Sequence, residues 1–518
     1  MEVRNRRAGL WPVLVALLPL LPSWWYAVAR PWPPMSVDDD SAVIEMAERR
    51  ALRGAQLTGA YSRFGWNHPG PVQLYLMAPI YAATGQRSAS IWLAALLLST
   101  CFTGAAAWAA TRILGPSRGL LTAAFLALLL AWMGPGLVAH AWAPHAVTVP
   151  LALFLVLALG LARQGTAWLP ALAFVASFLV QTHLGTAPTV VCVGLAALVL
   201  AWRVGRRLVA ARPLLLTVLL TAGLWAPPLV EQARGTEAYP GNLTLLLHFF
   251  RTHGASHTFA EVFGPLAHEL GSIPVALAAA VVPSTSDHRD LGAGVATLLL
   301  VALLPLGLAA ARRRRDDDVA ALSWLALVAA GASLLSGLRV VGEVFDYLLV
   351  FTSAVSFAGW AALALAAARP FEERGRGRVV TAACGAAAVL AAISNARGLV
   401  QQQPVPIVTL ESVRTFSAAL KSHLAAEGIK RPLVRLSGGE PWAPAAGALL
   451  ELERAGVAYA VEEDWAFMFG PNRRATGAED GTVWFDEKTP APGLRLLAES
   501  GKTKLYAVPA APVLPSRK

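Results

Sequence analysis

Long apolar runs separated by short polar segments fill the chain from its start to about residue 395. A run of roughly 17–25 apolar residues has the length of a helix that crosses the hydrocarbon core of a membrane. The pattern therefore predicts a mainly α-helical, polytopic membrane protein with about eleven transmembrane helices. We place them at 9–29, 88–111, 119–138, 146–162, 167–183, 187–202, 213–230, 291–311, 318–336, 345–367 and 379–394.

Two further apolar stretches do not fit this pattern. Residues 69–85 are apolar but short and rich in proline, and residues 265–284 include His268 and Glu269. Counting either stretch alone as a transmembrane helix would move the basic cluster at 312–315 to the other side of the membrane. We therefore expect both stretches to form helices that lie at the membrane surface or re-enter it.

Basic residues occur in alternate loops, and this alternation predicts the topology. The short loops at 139–146 and 183–186 contain no Lys or Arg, and the loop at 337–344 contains only Arg339. Under the positive-inside rule, the amino terminus is cytoplasmic and the carboxyl terminus lies outside a multi-pass plasma (inner) membrane. The basic loops contain Arg4, Arg6 and Arg7; Arg112 and Arg118; Arg163; Arg203, Arg206, Arg207 and Arg212; residues 312–315; and Arg369, Arg374, Arg376 and Arg378.

The first apolar run has a second interpretation, because residues 27–29 resemble the cleavage site of a signal peptide. The run ends in Trp24, Trp25 and Tyr26, however. An aromatic end is typical of a transmembrane helix at the membrane interface. We therefore expect this run to stay in the protein as its first transmembrane helix.

The composition changes after about residue 396, where polar residues return. Short apolar segments then alternate with amphipathic ones, a pattern typical of a small α/β domain. We divide the chain into a transmembrane domain at 1–395, with long outer loops at 30–87 and 231–290, and a soluble extracytoplasmic α/β domain at 396–518. Strands are predicted at 406–410, 433–436, 457–461, 482–485 and 505–508, and helices at 411–427 and 443–455.

The composition supports a protein surrounded by membrane lipids and argues against nucleic-acid binding. Hydrophobic residues make up 56% and charged residues 14% of the 518 residues, and the mean hydropathy is +0.53. The net charge is +11, but the basic residues lie in short clusters between apolar runs, so we expect no nucleic-acid partner. Cys101, Cys192 and Cys384 each lie in an apolar run, which argues against a disulfide framework.

The first outer loop contains the densest group of candidate functional residues. Asp38, Asp39 and Asp40 precede an amphipathic helix predicted at 42–53. A polar segment at 61–71 follows and leads into the short surface helix. A loop of this length in a compact membrane protein is more often functional than idle.

The order of these features resembles that of the GT-C superfamily of membrane glycosyltransferases, notably protein mannosyltransferases and lipid A aminoarabinose transferases. In that family an acidic pair follows the first span, and then come a His-Pro-Pro-type motif, a surface helix and a basic turn with glycine. The resemblance covers roughly residues 9–135 in detail and the rest of the chain in architecture. The matching positions are Asp39-Asp40 for the usual Asp-Glu, His68-Pro69-Gly70-Pro71 for His-Pro-Pro-Leu, Thr84-Gly85 for the helix end, and Arg112-Ile113-Leu114-Gly115 for the basic turn.

The resemblance implies that the protein transfers a sugar from a polyprenyl-phosphate donor to an extracytoplasmic acceptor, which is a glycan, a lipid or a protein. It implies Asp39 as the general base for the acceptor hydroxyl, and Asp40 as its partner or as a ligand of substrate or metal. A divalent cation, Mg²⁺ or Mn²⁺, would then bind at this pair, although the sequence alone establishes no cofactor. The α/β domain would help to bind the acceptor.

Transfer from this donor also needs groups that hold an anionic leaving phosphate. A cationic or hydrogen-bonding side chain at the depth of the lipid headgroups meets this need. The predicted topology places all of the candidates on the outer side. The candidates for holding the phosphate are Arg63, His68, Arg251, His253 and Arg339. Asp38 and Asn67 complete the set of expected substrate-binding residues.

These candidates also have ordinary structural interpretations. The aspartates could only cap the helix that follows them, and His68 could be a turn residue before proline. Arg251 and His253 could lie on an amphipathic surface helix, and Arg339 could form a local ion pair. The sequence alone leaves these alternatives open.

The loop at 139–146 departs from the family, whose members often have a second acidic residue there. This chain has His140 and His145 instead, which either replace that residue or anchor the loop at the interface. Two other functions also stay open: a transporter or lipid flippase, and a non-catalytic envelope scaffold. Transport is disfavoured, because nearly all charges lie in loops rather than at the membrane midplane.

Overall fold

The computed structural model describes residues 10–29, 37–205, 210–236, 239–254, 257–282, 286–401, 410–437, 439, 441–487 and 493–509. The chain forms two compact units. The bundle unit consists of Met1–Pro31 and Leu93–Val405, and the sheet unit consists of Trp32–Trp92 and Pro406–Lys518. Apart from Leu410, the strand predicted at 406–410 lies outside the described residues.

Ten helices in the described part of the chain are long and apolar enough to cross a membrane. A helix satisfies its backbone hydrogen bonds internally, as the hydrocarbon core requires. The predicted polytopic helical fold is therefore confirmed. The ten helices are Leu10–Ala29, Ser88–Leu114, Pro116–Val138, Ala143–Gln164, Leu184–Arg203, Ala211–Ala233, Arg289–Arg313, Asp317–Leu338, Val350–Glu373 and Gly377–Gln401.

The remaining predicted span, at 167–183, is a shorter apolar helix, Thr166–Thr182. Gly165 precedes it with a φ of 91°, and His183 follows it with extended backbone. Neither residue continues a right-handed helix, so the helix ends at both positions and is shorter than the ten others.

The stretch at 265–284 lies mostly within two helices, Phe259–Leu270 and Ser272–Val281. Their axes are bent by 52° at the break, which makes the pair a broken span or a re-entrant loop. A β-carbon on Gly271, between the two helices, would collide with the backbone of Ala293, so the close approach requires glycine. This agrees with the expectation that the stretch is not an ordinary transmembrane helix.

Four basic loops meet within the bundle unit, three of them at the aspartates that follow the basic cluster at 312–315. Arg118 Nη2 lies 2.7 Å from Asp316 Oδ2, and Arg369 Nη1 lies 3.4 Å from the same oxygen. Arg163 Nε lies 2.7 Å from Asp318 Oδ1. These loops therefore lie on one side of the helices, as the alternation of basic residues requires. That this side faces the cytoplasm stays a prediction.

Loops predicted on the opposite side also contact each other. The ring centroids of Trp142 and Tyr347 lie 4.7 Å apart, and those of His140 and His145 lie 5.0 Å apart. Aromatic side chains at the end of a helical bundle suit a membrane interface. This arrangement favours the interpretation of the two histidines as part of an anchoring cluster.

The sheet unit contains five strands: β1 (Pro432–Leu436), β2 (Ala460–Val461), β3 (Gly481–Asp486), β4 (Arg495–Ser500) and β5 (Thr503–Val508). Their order across the sheet is β2-β1-β3-β5-β4. β1 is parallel to both β2 and β3, whereas β5 is antiparallel to β3 and β4. A parallel pair needs a crossover connection, and helices supply it here.

Three helices accompany the strands: Glu411–Glu427, Trp442–Arg454 and Glu463–Phe469. The first two match the predicted helices, and the expected small α/β fold is confirmed. The strand predicted at 457–461 is reduced to the two residues of β2. β4 was not predicted, because its residues include no β-branched or aromatic side chain.

Two segments of the first outer loop also belong to the sheet unit: the helix Asp39–Leu52, here named the acid-pair helix, and the helix Val72–Ala83. Ala42, Val43 and Met46 of the acid-pair helix lie in one hydrophobic core with the inner face of the sheet. Burying a side chain such as Met46 contributes about 1.5–3 kcal/mol. The sequence-based division assigned these segments to different domains, because the whole helical bundle separates them along the chain.

Candidate active site

The acidic run lies at the amino-terminal end of the acid-pair helix. Asp38 precedes the first turn with extended backbone (φ −121°, ψ −166°), and its carbonyl accepts a hydrogen bond from Ala42 N at 3.0 Å. Its side chain makes no capping hydrogen bond. The interpretation that this run only caps the helix therefore has no support at the capping position itself.

Asp39 has a left-handed backbone, with a φ of 53°, and an exposed side chain. This conformation costs roughly 1–2 kcal/mol for most residues other than glycine, although Asp tolerates it better than most. Such residues persist where the surrounding structure holds them, and they concentrate at functional sites. The backbone therefore marks Asp39 as a functional candidate independently of its charge.

Asp40 is partly buried and accepts a hydrogen bond from the Tyr61 hydroxyl at 2.6 Å. Burial raises the pKa of Asp40 to about 6; the Tyr61 hydrogen bond opposes this rise and the charge of Asp39 adds to it. Burial also raises the pKa of Asp38. At neutral pH Asp40 is therefore ionised but close enough to its pKa to accept a proton, which is the property that a general base needs.

Tyr61 belongs to a tight hairpin whose two sides pair at Tyr61 and Asn67, with Gly65 at a φ of 80° in the turn. Asn67 Nδ2 donates to the carbonyl of Phe467 at 3.0 Å. The Tyr61 ring makes edge contacts with Trp442 and Phe467, at centroid distances of 6.4 and 6.0 Å. The predicted substrate residue Asn67 thus has a structural hydrogen bond. The sequence analysis did not identify Tyr61, because its contacts lie far away along the chain.

The two basic candidates in the same hairpin have different environments. Arg63 is exposed, with its guanidinium 4.9 Å from the centroid of the Phe64 ring. His68 is only 8% exposed and packs edge-on against Trp66 at 5.6 Å. Its backbone N–H donates to the carbonyl of Ala60 at 2.8 Å. Arg63 is therefore exposed to solvent, whereas the burial of His68 favours the interpretation of a structural turn residue.

A buried ion pair that sequence reasoning missed joins the acid-pair helix to the carboxyl-terminal segment. Glu45 is fully buried, and its Oε1 lies 2.6 Å from Arg454 Nη2. Tyr81 donates to Oε1 at 2.8 Å and Ser88 donates to Oε2 at 2.6 Å. Glu45 and Arg454 are 409 residues apart in the chain, so no local pattern could reveal the pair.

Arg50, one turn further along the acid-pair helix, makes a second buried connection. Its Nη1 donates to the carbonyl of Phe469 at 2.9 Å, and its Nε donates to Gln56 Oε1 at 2.7 Å. Burial lowers the pKa of Arg50, and the nearby carboxylate of Glu453 opposes that effect. Glu45 and Arg50 together fix the orientation of the helix that presents the aspartates.

Glu48 differs from Glu45 and Arg50, the other buried charged residues of the acid-pair helix, because its side chain has no hydrogen-bond partner among the described residues. Its side chain is fully buried, and neither carboxylate oxygen has a hydrogen-bond partner among the described residues. Burial raises the pKa of Glu48 to about 9, with a contribution from the charge of Glu45. Glu48 is therefore protonated and neutral at physiological pH.

Three predicted substrate-binding residues belong to the bundle unit. Arg251 is exposed in the last turn of the helix Asn242–Thr252. The His253 ring stacks on Phe249 at 4.4 Å, which favours the surface-helix interpretation for this histidine. Arg339 follows a transmembrane helix, is exposed and makes no ion pair with any residue that the structure describes.

A metal ion would find few ligands at the aspartates. Among the described residues, no group of three or more His, Cys, Asp or Glu side chains could hold a metal ion. Mg²⁺ is often bound by one or two carboxylates together with waters and substrate phosphates. A cation at Asp39 and Asp40 would therefore need ligands from its substrate and from water.

Comparison with known proteins finds similarity to solved structures and to no family model or curated protein. No protein-family model matches the sequence, and no curated protein matches it. ArnT from Cupriavidus metallidurans bound to undecaprenyl phosphate is 15% identical, with a TM-score of 0.55 over 98% of this chain and 97% of that one. The same protein in the apo state is 14% identical, with a TM-score of 0.54 over 96% and 97%.

These comparisons bear on the expected fold. ArnT is an aminoarabinose transferase of the GT-C type, the family whose motif order the sequence resembles. The likeness covers nearly the whole length of both chains. The chain therefore has the fold that the resemblance implied, a helical membrane domain together with a small sheet region.

Proposed function

We propose that the protein is a membrane glycosyltransferase that transfers a sugar from a polyprenyl-phosphate donor to an acceptor outside the cytoplasm. The observation that carries the proposal is the acidic run on the acid-pair helix. There, a strained Asp39 adjoins a partly buried Asp40 whose pKa lies at about 6. The whole-chain likeness to a protein that binds undecaprenyl phosphate supports a polyprenyl-phosphate donor.

The reaction uses one of the two aspartates as a general base. The carboxylate takes the proton of the acceptor hydroxyl while that oxygen bonds to the anomeric carbon of the sugar. The bond from that carbon to the phosphate oxygen breaks, and the polyprenyl phosphate leaves with the bonding electrons. The resemblance implied Asp39 as the base. The environment favours Asp40, because a base with a pKa near the working pH combines ionisation with proton affinity.

The leaving phosphate gains negative charge and needs cationic partners. Arg63 belongs to the same unit as the aspartates, and its exposed guanidinium group fits this role. His68 and His253 are committed to ring contacts within their own segments, which makes them weaker candidates. Replacing an arginine that stabilises this developing charge should lower kcat more than it raises the KM for the donor.

The test is sugar transfer in proteoliposomes from a panel of radiolabelled undecaprenyl-phosphate sugars. Asp39→Asn and Asp40→Asn are compared with wild type. Loss of a general base lowers the rate by roughly 100-fold or more. Asp464→Asn is the matched control, because Asp464 is an exposed aspartate in the first turn of another helix of the sheet unit. Repeating the assay with EDTA, and with Mg²⁺ or Mn²⁺, determines whether a cation takes part.

The competing functions give a different result in the same experiment. A transporter or an envelope scaffold would transfer no labelled sugar from any donor, and both variants would behave like wild type in cells. Loss of transfer in either variant, with the control active and all proteins equally stable, supports the enzyme.

A further inference from the structure

The structure surrounds Tyr61 with two kinds of contact. Its hydroxyl donates to Asp40 Oδ1 at 2.6 Å, and its ring lies against Trp442 and Phe467 in the carboxyl-terminal segment. The opposite side of its hairpin is tied to the same segment, because Asn67 donates to the carbonyl of Phe467. One side chain therefore joins the acidic run to the α/β fold.

The chain just before the acidic run is held by the same segment. The helix Trp442–Arg454 approaches it so closely that a β-carbon on Gly447 would collide with the carbonyl of Val37. Val37 also packs against the shared hydrophobic core. Contacts from the carboxyl-terminal segment therefore flank the aspartates at Val37 and at Tyr61.

We propose that Tyr61 is a positioning residue for the acid pair: its hydroxyl holds the Asp40 carboxylate, while Trp442 and Phe467 hold its ring. The α/β fold then supports the base of the reaction, beyond any part it takes in acceptor binding. This inference rests on the proposed function, because it assigns Asp40 to the chemistry. Tyr61 itself need not contact a substrate.

The hydrogen bond has a predictable effect on proton affinity. A donor to a carboxylate stabilises the charged form, so removing the Tyr61 hydroxyl makes Asp40 harder to ionise. Loss of one such bond raises the protonation midpoint by roughly one pH unit. A residue that only filled space would leave this midpoint unchanged, provided that its replacement kept the ring.

The first experiment measures the protonation of Asp40 without using catalysis. The full-length protein in lipid nanodiscs is labelled with a carbodiimide, which reacts with protonated carboxyls, over a range of pH, and mass spectrometry follows Asp40. With EDTA present, so that no divalent cation competes for the carboxylate, we expect the labelling midpoint of Asp40 to lie higher in Tyr61→Phe than in wild type. Tyr75→Phe is the control, because Tyr75 is a partly buried tyrosine beside the acid-pair helix with no hydrogen bond to the aspartates. An unchanged midpoint in Tyr61→Phe overturns the inference.

The second experiment tests the link to Phe467 by a double-mutant cycle on the same midpoint. Phe467→Leu removes the ring contact but keeps an apolar side chain. If the ring holds the hydroxyl in place, Phe467→Leu shifts the midpoint upward on its own, and adding Tyr61→Phe shifts it little further. Fully additive shifts contradict the proposed support by the α/β fold.

Transfer activity separates this inference from the proposed function. If Asp40→Asn still transfers sugar at the wild-type rate, the assignment of Asp40 as the base fails, whatever the labelling shows. If Asp40→Asn is inactive while Tyr61→Phe keeps both the wild-type midpoint and the wild-type pH–rate profile, the assignment stands and the positioning role fails. The expected result is a Tyr61→Phe profile whose acid limb moves upward by roughly the labelling shift.

Discussion

Glu48 shows how strongly one buried carboxyl can couple stability to pH. Its ordinary pKa of 4.5 applies in the unfolded chain, and burial raises the pKa of Glu48 to about 9 in the folded protein. The folded state therefore binds this proton more tightly than the unfolded chain does. The contribution of the bound proton to the free energy of unfolding is complete below pH 4.5 and is lost as the pH rises towards 9. A carboxylate in an ion pair behaves in the opposite way, because it contributes stability at high pH and loses that contribution as the pH falls.

Glu48→Gln should therefore stabilise the protein at alkaline pH. We expect the variant to unfold at a temperature at least about 3 °C above wild type at pH 8.5, and the difference to shrink towards pH 5. Thermal unfolding in detergent, followed by tryptophan fluorescence, measures it. Glu411→Gln, an exposed carboxyl of the same unit, serves as the control and should show little change. A constant difference at all pH values would contradict the proton linkage.

Single residues also show what the sequence could reveal of the site. The acidic run is visible in the sequence, because it follows the first predicted transmembrane helix and precedes an amphipathic helix in a long outer loop. The role of Tyr61 is not visible in the sequence, because it depends on contacts with distant segments. Asn67, which pairs with Tyr61 in the hairpin, hydrogen-bonds to Phe467, 400 positions away. The sequence predicts His68 as a substrate-binding residue, yet its side chain is buried against Trp66.

At the scale of elements, periodicity located the helices well. The helix predicted at 42–53 is the acid-pair helix Asp39–Leu52, and its predicted apolar side is buried. Its polar side is buried as well at Glu45, Glu48 and Arg50, which periodicity cannot predict. Those side chains are buried because distant parts of the chain supply their partners or cover them.

The Glu45–Arg454 pair should control how firmly the acid-pair helix is held. Arg454→Ala leaves Glu45 buried without its cation, which costs about 3 kcal/mol. Amide hydrogen exchange along Asp39–Leu52 should then accelerate by roughly 100-fold where local opening limits it. Arg495→Ala, which removes an exposed pair with Glu427, should have little effect. Equal exchange in Arg454→Ala and wild type would show that the pair does not hold the helix.

At the scale of the whole molecule, the apolar runs predicted nearly all of the transmembrane helices and the basic loops predicted which loops contact each other. The contacts of Arg118, Arg163 and Arg369 with one acidic turn agree with that grouping. What the sequence could not predict is the shared core of the first outer loop and the carboxyl-terminal segment. Hydrophobic pattern describes each segment alone and carries no information on which distant segment covers it.

The predicted topology can be tested with single cysteines in a variant that lacks Cys101, Cys192 and Cys384. Ala478→Cys in the sheet unit should react with a membrane-impermeant maleimide in intact spheroplasts, because the carboxyl-terminal domain is predicted outside. Arg374→Cys, in a basic turn, should react after the membrane is permeabilised and not before. Both positions are exposed, so access to solvent is matched. The reverse labelling pattern would invert the topology.

The pH dependence of sugar transfer is the decisive test of whether Asp40 is the general base of a sugar transferase. The measurement is the rate of transfer from an undecaprenyl-phosphate sugar in proteoliposomes, for wild type and Asp40→Asn. Because Asp40 must be ionised to accept a proton, the wild-type rate should fall as the pH drops through about 6. Asp40→Asn should be slower than wild type by roughly 100-fold or more above that pH, should lack this acid limb, and should differ less from wild type below it. Transfer by Asp40→Asn at the wild-type rate, with the same acid limb, would show that Asp40 is not the base.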